Sequence, residues 1–150
     1  MNNGTKHTID WSLDQSLGFR LARAARSLKR ALEAKLIGRN LTATQYVVLA
    51  RLWLEDGVSI TELGDRLGFD SPTLTGVIDR MERDGLVERK RNDEDRRVVR
   101  VYLTPKGSAM EREIGTFAAD TDEEAWKHFS DAEREALLRA LDIIGNTFND

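Results

Sequence analysis

A short charged segment between two strand-like runs carries the first residues with a recognisable chemistry. In the stretch KRNDEDRRVVRVYLT, Lys90–Thr104, residues 93–97 comprise three acids and two arginines. The β-branched runs around them predict a β-hairpin with this segment at its tip. An arginine at such a tip suits the DNA minor groove, where the electrostatic potential is most negative. Asp95 lies two residues before Arg97 and can accept hydrogen bonds that hold the guanidinium in one pose.

The segment before the hairpin predicts a helix-turn-helix. Two short helical patterns, residues 60–67 and 72–83, are separated by GFDS, which is the spacing of that motif. The second helix is predicted to bury Leu74, Val77, Ile78 and Met81. Its other side carries small hydroxyl groups, a glycine and arginines: Ser71, Thr73, Thr75, Gly76, Arg80 and Arg83. Small residues at the start of a helix let its backbone approach base edges, and the arginines can reach the flanking phosphates.

Both segments have a plain structural alternative. The hairpin tip can be charged only for solubility and to protect the strand edges from pairing with another chain. The outer helix face can be an ordinary solvated surface on which Asp79 and Arg83 form an ion pair one turn apart. Two-helix corners occur in many folds, so the helices alone do not decide the function.

Capping signals and periodicity predict the elements that position these residues. Capping boxes are predicted at Ser12 with Gln15, Thr42 with Gln45, Ser59 with Glu62 and Ser130 with Glu133. Asp70 or Ser71 precedes Pro72, and Thr104 precedes Pro105, which are further helix starts. We therefore predict helices over residues 12–37, 43–55, 60–67 and 72–83, then the hairpin, a helix from Lys106 and a last helix after Ser130. A helix-turn-helix followed by such a hairpin is a winged helix. The predicted fold is mainly α with a small β-hairpin wing and long N- and C-terminal helices.

The two ends of the chain carry apolar stripes that such a small fold cannot bury alone. In the first helix, leucines and one alanine recur every three or four residues from Leu13 to Leu36, over about seven turns. The last helix repeats the pattern from Leu137 to Phe148. A long amphipathic helix without a neighbour in its own chain usually packs against a partner.

Composition limits the class of protein. The 150 residues suit one domain or two fused ones, and 33% of them are charged. The net charge is −3, but residues 71–106 hold nine Lys and Arg against seven Asp and Glu, whereas residues 107–150 hold four against eleven. The basic section therefore coincides with the predicted winged helix. No apolar run is long enough to span a bilayer, and the N-terminus lacks the apolar core of a signal peptide. These features fit a cytoplasmic protein with no membrane partner.

The sequence offers little for catalysis or for metals. There is no cysteine, which removes disulfides, thiolate nucleophiles and thiol oxidation. The two histidines, His7 and His128, lie in no recognisable motif, and zinc sites usually need more nitrogen or sulfur ligands. No nucleophile with a base and no paired acids stand out. We expect neither an enzyme nor a cofactor nor a metal.

The hairpin and its flanks resemble the MarR family of bacterial winged-helix transcription regulators. The family's wing pattern is Asp-x-Arg, five residues, then Leu-Thr-x-x-Gly, and it is met by Asp95, Arg97, Leu103, Thr104 and Gly107. The stretches LTATQYVVLARL and SITELGDRLGFDSPTLTGVIDRME are similar to that family's second to fourth helices. The resemblance extends over nearly the whole chain.

This resemblance implies a homodimer that binds double-stranded DNA. Residues 1–40 and 106–150 would form the dimerisation region, and residues 41–105 the winged helix-turn-helix. The implied DNA contacts are Ser71, Thr73, Thr75, Arg80 and Arg97, with Asp95 as the brace of Arg97. A two-fold dimer implies a pseudo-palindromic operator whose half-sites lie roughly 10 bp apart.

The resemblance also implies a repressor released by a small aromatic or phenolic ligand, often a carboxylate. The chemistry of the side chains suggests Trp11, Phe19 and Trp53 as flat apolar contacts, with Arg20 and Arg23 as partners of a carboxylate. The alternative is that the aromatics fill the core and the arginines lie on the surface. A rival function for the whole chain is a winged-helix module for protein interaction without specific DNA binding. Such a module would not need Arg80 or Arg97, and its binding would lack a steep salt dependence.

Overall fold

The computed structural model describes residues 12–149. A 3₁₀ turn, Leu13–Gln15, precedes α1 (Leu17–Leu36) and α2 (Ala43–Leu54). The winged section continues with β1 (Val58–Ser59), α3 (Ile60–Leu67), α4 (Ser71–Arg83), β2 (Val87–Arg91) and β3 (Val99–Leu103). The C-terminal section comprises α5 (Pro105–Ala109), α6 (Glu111–Ile114), α7 (Phe117–Trp126) and α8 (Asp131–Thr147). The predicted mainly helical fold with a small wing is confirmed.

The sheet has three strands rather than the predicted two. All pairs are antiparallel in the order β1-β3-β2, with Val101 opposite both Val58 and Arg89. The hairpin itself was predicted. The third strand has only two residues, so it is too short for an alternating pattern to reveal it in the sequence.

The first helix starts later than predicted. The Ser12 side chain makes no capping hydrogen bond, and the chain turns once before Ser16, whose backbone is extended. The Ser16 hydroxyl accepts the backbone N–H of Phe19 and caps α1 instead. The capping boxes predicted at Thr42 and at Ser130 are confirmed, with both reciprocal bonds formed. At Ser59 only half of the predicted box forms, because the Glu62 carboxylate pairs with Arg66 instead of returning to the Ser59 backbone. Ser59, Asp70 and Thr104 cap the remaining starts with their side chains.

The helix predicted from Lys106 is divided into α5, α6 and α7. The divisions fall at Met110 and at Gly115–Thr116, where the backbone keeps a helical turn but the α-helical bonding is interrupted. Tyr46 supplies partners for the freed backbone groups at the second division. Its hydroxyl donates to the Gly115 carbonyl and accepts from the Ala118 N–H, at 3.2 and 3.1 Å. A long-range hydrogen bond of this kind has no signal in local sequence.

Two apolar clusters form the core, and α2 belongs to both. The larger cluster lies between α2, the helix-turn-helix and the sheet, and its fully buried members include Leu49, Leu63 and Ile78. The smaller cluster joins Leu32, Leu36, Ala43, Tyr46 and Ile114. Partly buried Leu41, Trp53 and Met110 pack against both clusters. The winged section and the flanking helices are therefore packed together through α2.

Gly107 is the point of closest approach between α5 and the end of the winged section. It is buried, and a Cβ placed on it would overlap the carbonyl oxygen of Leu86. Its own carbonyl accepts the indole N–H of Trp53 at 3.0 Å. A residue with a side chain does not fit here, which explains physically why the Leu-Thr-x-x-Gly pattern ends in glycine. No helix among residues 12–149 is long and apolar enough to cross a membrane.

Replacing Gly107 should destabilise the fold in proportion to this overlap. We expect Gly107→Ala to lower the free energy of unfolding by on the order of 3 kcal/mol, because the obstructing atom is backbone and cannot rotate away. Gly76→Ala is the matched control, since nothing lies within 4 Å of its added Cβ. That helical substitution should be stabilising by up to about 1 kcal/mol. Urea unfolding at one protein concentration measures both, and equal stability of Gly107→Ala and the parent protein would contradict the argument.

Candidate nucleic-acid interface

Helix α4 presents a polar outer face because its start is firmly capped and its inner face is buried. The Asp70 carboxylate accepts the backbone N–H of Thr73 at 2.7 Å, and Pro72 lies in the first turn. That hydrogen bond lowers the pKa of Asp70 below its ordinary value, so the cap is ionised at neutral pH. Leu74, Val77, Ile78 and Met81 are buried as predicted. The side chains predicted to contact DNA are exposed together: Ser71, Thr73, Thr75 and Arg80.

Helices α3 and α4 meet at a tight corner. Gly68 has φ of +68°, a left-handed conformation that ends α3 without the steric cost a side chain would bring. Phe69 follows it and packs partly buried against the larger core cluster. The corner therefore fixes the start of α4 relative to α2 and α3.

The hairpin tip displays one arginine in a fixed pose. Asp95 accepts from the Arg97 backbone N–H at 3.1 Å and from its guanidinium at 3.0 and 3.1 Å, one bond to each carboxylate oxygen. These hydrogen bonds lower the pKa of Asp95 and raise the pKa of Arg97, so both groups are charged at neutral pH. The Arg97 side chain nevertheless remains 92% exposed. The predicted contact between the two residues is present, and it orients the guanidinium without hiding it.

The rest of the tip is held by backbone hydrogen bonds. The Asn92 N–H donates to the Val98 carbonyl, and the Val98 N–H donates to the Asp95 carbonyl. The Arg91 guanidinium donates to the Arg96 carbonyl at 2.8 Å. The tip is thus an ordered turn in which Asp93, Glu94 and Arg96 are exposed.

Arg89 was missed by the sequence analysis although it joins the hairpin to α4. Its guanidinium lies 2.6 Å from a carboxylate oxygen of Asp79 and 3.3 Å from one of Glu82. Its backbone N–H also donates to Glu82 at 3.0 Å. Asp79 therefore pairs with Arg89, and the ion pair with Arg83 considered as an alternative is wrong. The sequence did contain a pattern that could have predicted this contact. Arg89 lies two residues after Val87 in the strand, and Asp79 and Glu82 are spaced three residues apart on the helix before it.

The residues predicted to hold a ligand that lie within residues 12–149 do not line the cavity described below. Trp11 lies outside the described residues. Trp53 packs against the core. Its indole N–H donates to the Gly107 carbonyl, and its ring makes an edge-to-face contact with Tyr46 at 5.9 Å between ring centroids. On α1, the Arg20 guanidinium donates to the Asp14 carbonyl at 2.7 Å.

A different set of residues lines an open cavity between α1, α2 and α7. Its volume is about 350 Å³, and neither Phe19, Arg20, Arg23 nor Trp53 lines it. The walls are mostly apolar, with contributions from Leu28, Leu32, Val47, Phe69 and Ala118. The polar lining residues are Lys29, Thr44, Thr121 and Asp122. Because these residues come from distant parts of the chain and most are ordinary core formers, no sequence motif marks them. Within residues 12–149, no group of three or more His, Cys, Asp or Glu side chains could hold a metal ion.

Comparison with known proteins identifies relatives over both the winged section and the whole chain. The MarR family model matches residues 41–99. The transcriptional regulator TtmR of Methylorubrum extorquens is 43% identical over 99 residues, 66% of this chain and 51% of that protein, so the chain spans about half of its length. The transcriptional regulator MgrA of Staphylococcus aureus is 31% identical over 140 residues, 93% of this chain and 94% of that protein.

A solved structure is similar over nearly the same length. The regulator BpsR of Bordetella bronchiseptica, described with the mechanism by which 6-hydroxynicotinic acid regulates its DNA binding, superposes with a TM-score of 0.82 at 28% identity. The alignment covers 91% of this chain and 97% of that structure. These relatives are transcription regulators and not enzymes.

Proposed function

This chain belongs to the MarR family of transcription regulators, and from that premise we propose that it binds a pseudo-palindromic DNA operator as a cytoplasmic homodimer and represses transcription until a small aromatic acid releases it. The observation that carries the proposal is the guanidinium of Arg97, which Asp95 holds in one pose while it stays exposed at the hairpin tip.

Each contact has a physical role in the proposed complex. Ser71, Thr73 and Thr75 are short, so the start of α4 can approach base edges and phosphates in the major groove. Arg80 is long enough to reach a flanking phosphate. Arg97 enters the neighbouring minor groove, where a narrow groove concentrates negative potential, and Asp95 keeps the guanidinium from rotating away.

The apolar surface of the terminal sections supports the proposed homodimer. Helix α8 has 17 residues, none of which is buried within the chain. Its apolar residues Leu138, Leu141 and Ile143 are 45%, 40% and 61% exposed, and Leu17 near the start of α1 is 58% exposed. A second copy that covers both surfaces would remove this area from water. Residues 1–40 and 106–150 remain our proposed dimerisation region, and residues 41–105 the DNA-binding region.

The cavity beside Phe69 supports regulation by a ligand. Its volume of about 350 Å³ lies in the range of small-molecule sites and suits a compound with one aromatic ring. Lys29 offers a cation for a carboxylate, and the hydroxyl groups of Thr44 and Thr121 add hydrogen-bonding partners on walls that are mostly apolar. Phe69 lines the cavity and directly precedes Asp70, which caps α4. A ligand that displaces Phe69 would therefore move the start of α4, and a shifted α4 would no longer fit both half-sites.

Removing the Arg97 guanidinium should weaken operator binding far more than removing the neighbouring Arg96 guanidinium. We expect Arg97→Ala to reduce affinity for the operator by roughly tenfold or more and to flatten the salt dependence, since one base or phosphate contact contributes about 1–3 kcal/mol. Asp95→Ala should lose most of the same affinity because the guanidinium is no longer held. Arg96→Ala is the matched control, with the same charge change at the same tip. Fluorescence anisotropy on DNA from upstream of the gene, at several salt concentrations, measures all three.

Two results would count against this DNA-binding role. Equal losses for Arg96→Ala and Arg97→Ala would mean that the tip contributes only general charge. Absence of any preference over random DNA at every salt concentration would favour the rival function, a winged helix for protein interaction.

A charge placed on the apolar face of α8 should dissociate the dimer. We expect Leu141→Glu to convert the dimer to monomer at micromolar concentration, because a buried unpaired carboxylate costs several kcal/mol. Arg139→Gln changes the net charge by the same amount, and its position on a different face of α8 should leave the dimer intact. Sedimentation velocity distinguishes the two variants, and a Leu141→Glu protein that remains dimeric would show that α8 is not at the interface.

Loss of the Lys29 ammonium should reduce the response to an aromatic acid. In the anisotropy assay with a panel of benzoate-type acids, we expect Lys29→Met to need roughly tenfold more acid for half-release of DNA, the effect of one lost charge-assisted hydrogen bond. Arg26→Met is the control, since it removes a cation from the same helix but Arg26 does not line the cavity. An unchanged dose response in Lys29→Met would place the effector elsewhere.

A further inference from the structure

The base of the wing is attached to α4 at two points. The first is the chain itself, since α4 ends at Arg83 and β2 begins at Val87 after a turn in which Gly85 has φ of +74°. The second is Arg89, which binds Asp79 and Glu82 on successive turns of α4 and is only 31% exposed in its side chain. Buried Val87 and Val101 and the pairing of β3 with β1 also hold the base of the hairpin against the core. The Arg89 network adds a polar attachment that fixes the strand directly to the side of the helix.

The position of β2 in the sheet leaves one edge of the strand open for this second attachment. In the order β1-β3-β2, β2 is an edge strand, and among residues 12–149 it pairs only with β3. Its other edge faces α4, and there the Arg89 N–H donates to the Glu82 carboxylate while the guanidinium binds both acids. On this open edge, the Glu82 carboxylate accepts the backbone N–H that a neighbouring strand would otherwise bind.

The same network also determines which arginines are available to DNA. Asp79 lies one turn after Thr75, on the side of α4 that carries the proposed contacts, and an unpaired carboxylate there would repel phosphate. Arg89 satisfies Asp79 and Glu82 together, and its hydrogen bonds lower the pKa of Glu82. Among the residues that the structure describes, Arg80 and Arg83 form no ion pair, so their guanidinium groups remain available for phosphates.

We propose that Arg89 is a positioning residue for DNA recognition, which fixes the angle between the wing and α4 so that Arg97 and the recognition helix enter adjacent grooves of one operator together. This inference rests on the proposed function, because it presupposes that both elements bind DNA. It assigns Arg89 no contact with DNA. Its effect on binding passes through Arg97.

A double-mutant cycle separates this role from simple structural support. Arg97→Ala is expected to cost roughly tenfold in operator affinity in the parent protein, and only about threefold or less once Arg89→Met has released the wing. Arg89→Met alone should lower operator affinity by roughly tenfold while changing affinity for random DNA by no more than about twofold. An Arg97→Ala cost that is the same in both backgrounds would overturn the proposal, because it would show that the wing is positioned without Arg89.

A second variant tests the same attachment from the side of the helix. Asp79→Asn with Glu82→Gln keeps Arg89 but removes both charged acceptors, and it should also reduce the cost of Arg97→Ala to about threefold or less. This variant also removes two negative charges, which changes its overall affinity for DNA independently of the attachment, so only the coupling with Arg97 is informative. It also serves if Arg89→Met does not fold, which far-UV circular dichroism would show. A full tenfold cost of Arg97→Ala in this variant would overturn the proposal.

The failure of this inference can be told apart from the failure of the proposed function. If Arg97→Ala has no effect in the parent protein, the proposed wing contact is wrong and the positioning role of Arg89 is wrong with it. If Arg97→Ala weakens binding equally in every background, the DNA-binding function stands and only the role of Arg89 is rejected. If Arg97→Ala costs more in an Arg89→Lys background than in an Arg89→Met background, a positive charge at position 89 is what positions the wing, as proposed.

Discussion

The arrangement of the whole molecule depends on three hydrogen bonds made by two aromatic side chains of helix α2. Trp53 donates its indole N–H to the Gly107 carbonyl, and the Tyr46 hydroxyl serves both Gly115 and Ala118. Both aromatic side chains contribute a large apolar surface to the core. Each also has one polar group, and that group hydrogen-bonds to backbone atoms of the C-terminal section. The recognition elements and the terminal helices are therefore connected by directional bonds as well as by packing. A displacement of α2 would disturb both halves.

The distribution of ion pairs matters more for this protein than its net charge. The chain carries a net charge of −3, which by itself argues against DNA. On the winged section, however, several acids form ion pairs with arginines. Asp79 and Glu82 pair with Arg89, and Asp95 pairs with Arg97. Asp95 orients its partner without covering it. Of the three acids at the tip, Asp95 thus acts as a local support for the neighbouring arginine.

Local sequence predicted those features whose causes are local. Helix caps at Thr42 and Ser130, the buried face of α4, the hairpin and the contact between Asp95 and Arg97 all depend on residues within a few positions of each other. The predictions failed where distant residues decide the outcome. The Tyr46 hydroxyl partners the backbone at the break before α7, Arg89 reaches back to α4, and the cavity collects side chains from four segments. Arg20, Arg23 and Trp53 were predicted to bind a ligand because their chemistry suits an aromatic acid, but none of them lines this cavity.

The absence of buried residues on α8 has a consequence for a newly made subunit. No residue of this 17-residue helix is fully buried, and partly buried Leu137 and Ile144 and the contact of Arg134 with the Trp126 ring add little to its own backbone bonds and capping box. Isolated helices of this length are marginal in water. In the proposed homodimer, ordering of α8 is therefore linked to assembly, and the apparent stability rises with the amount of protein present. A cell that holds few copies would then contain a fraction of subunits with frayed C-terminal ends. Such ends are natural targets for proteolysis, so the abundance of the regulator would limit its own lifetime.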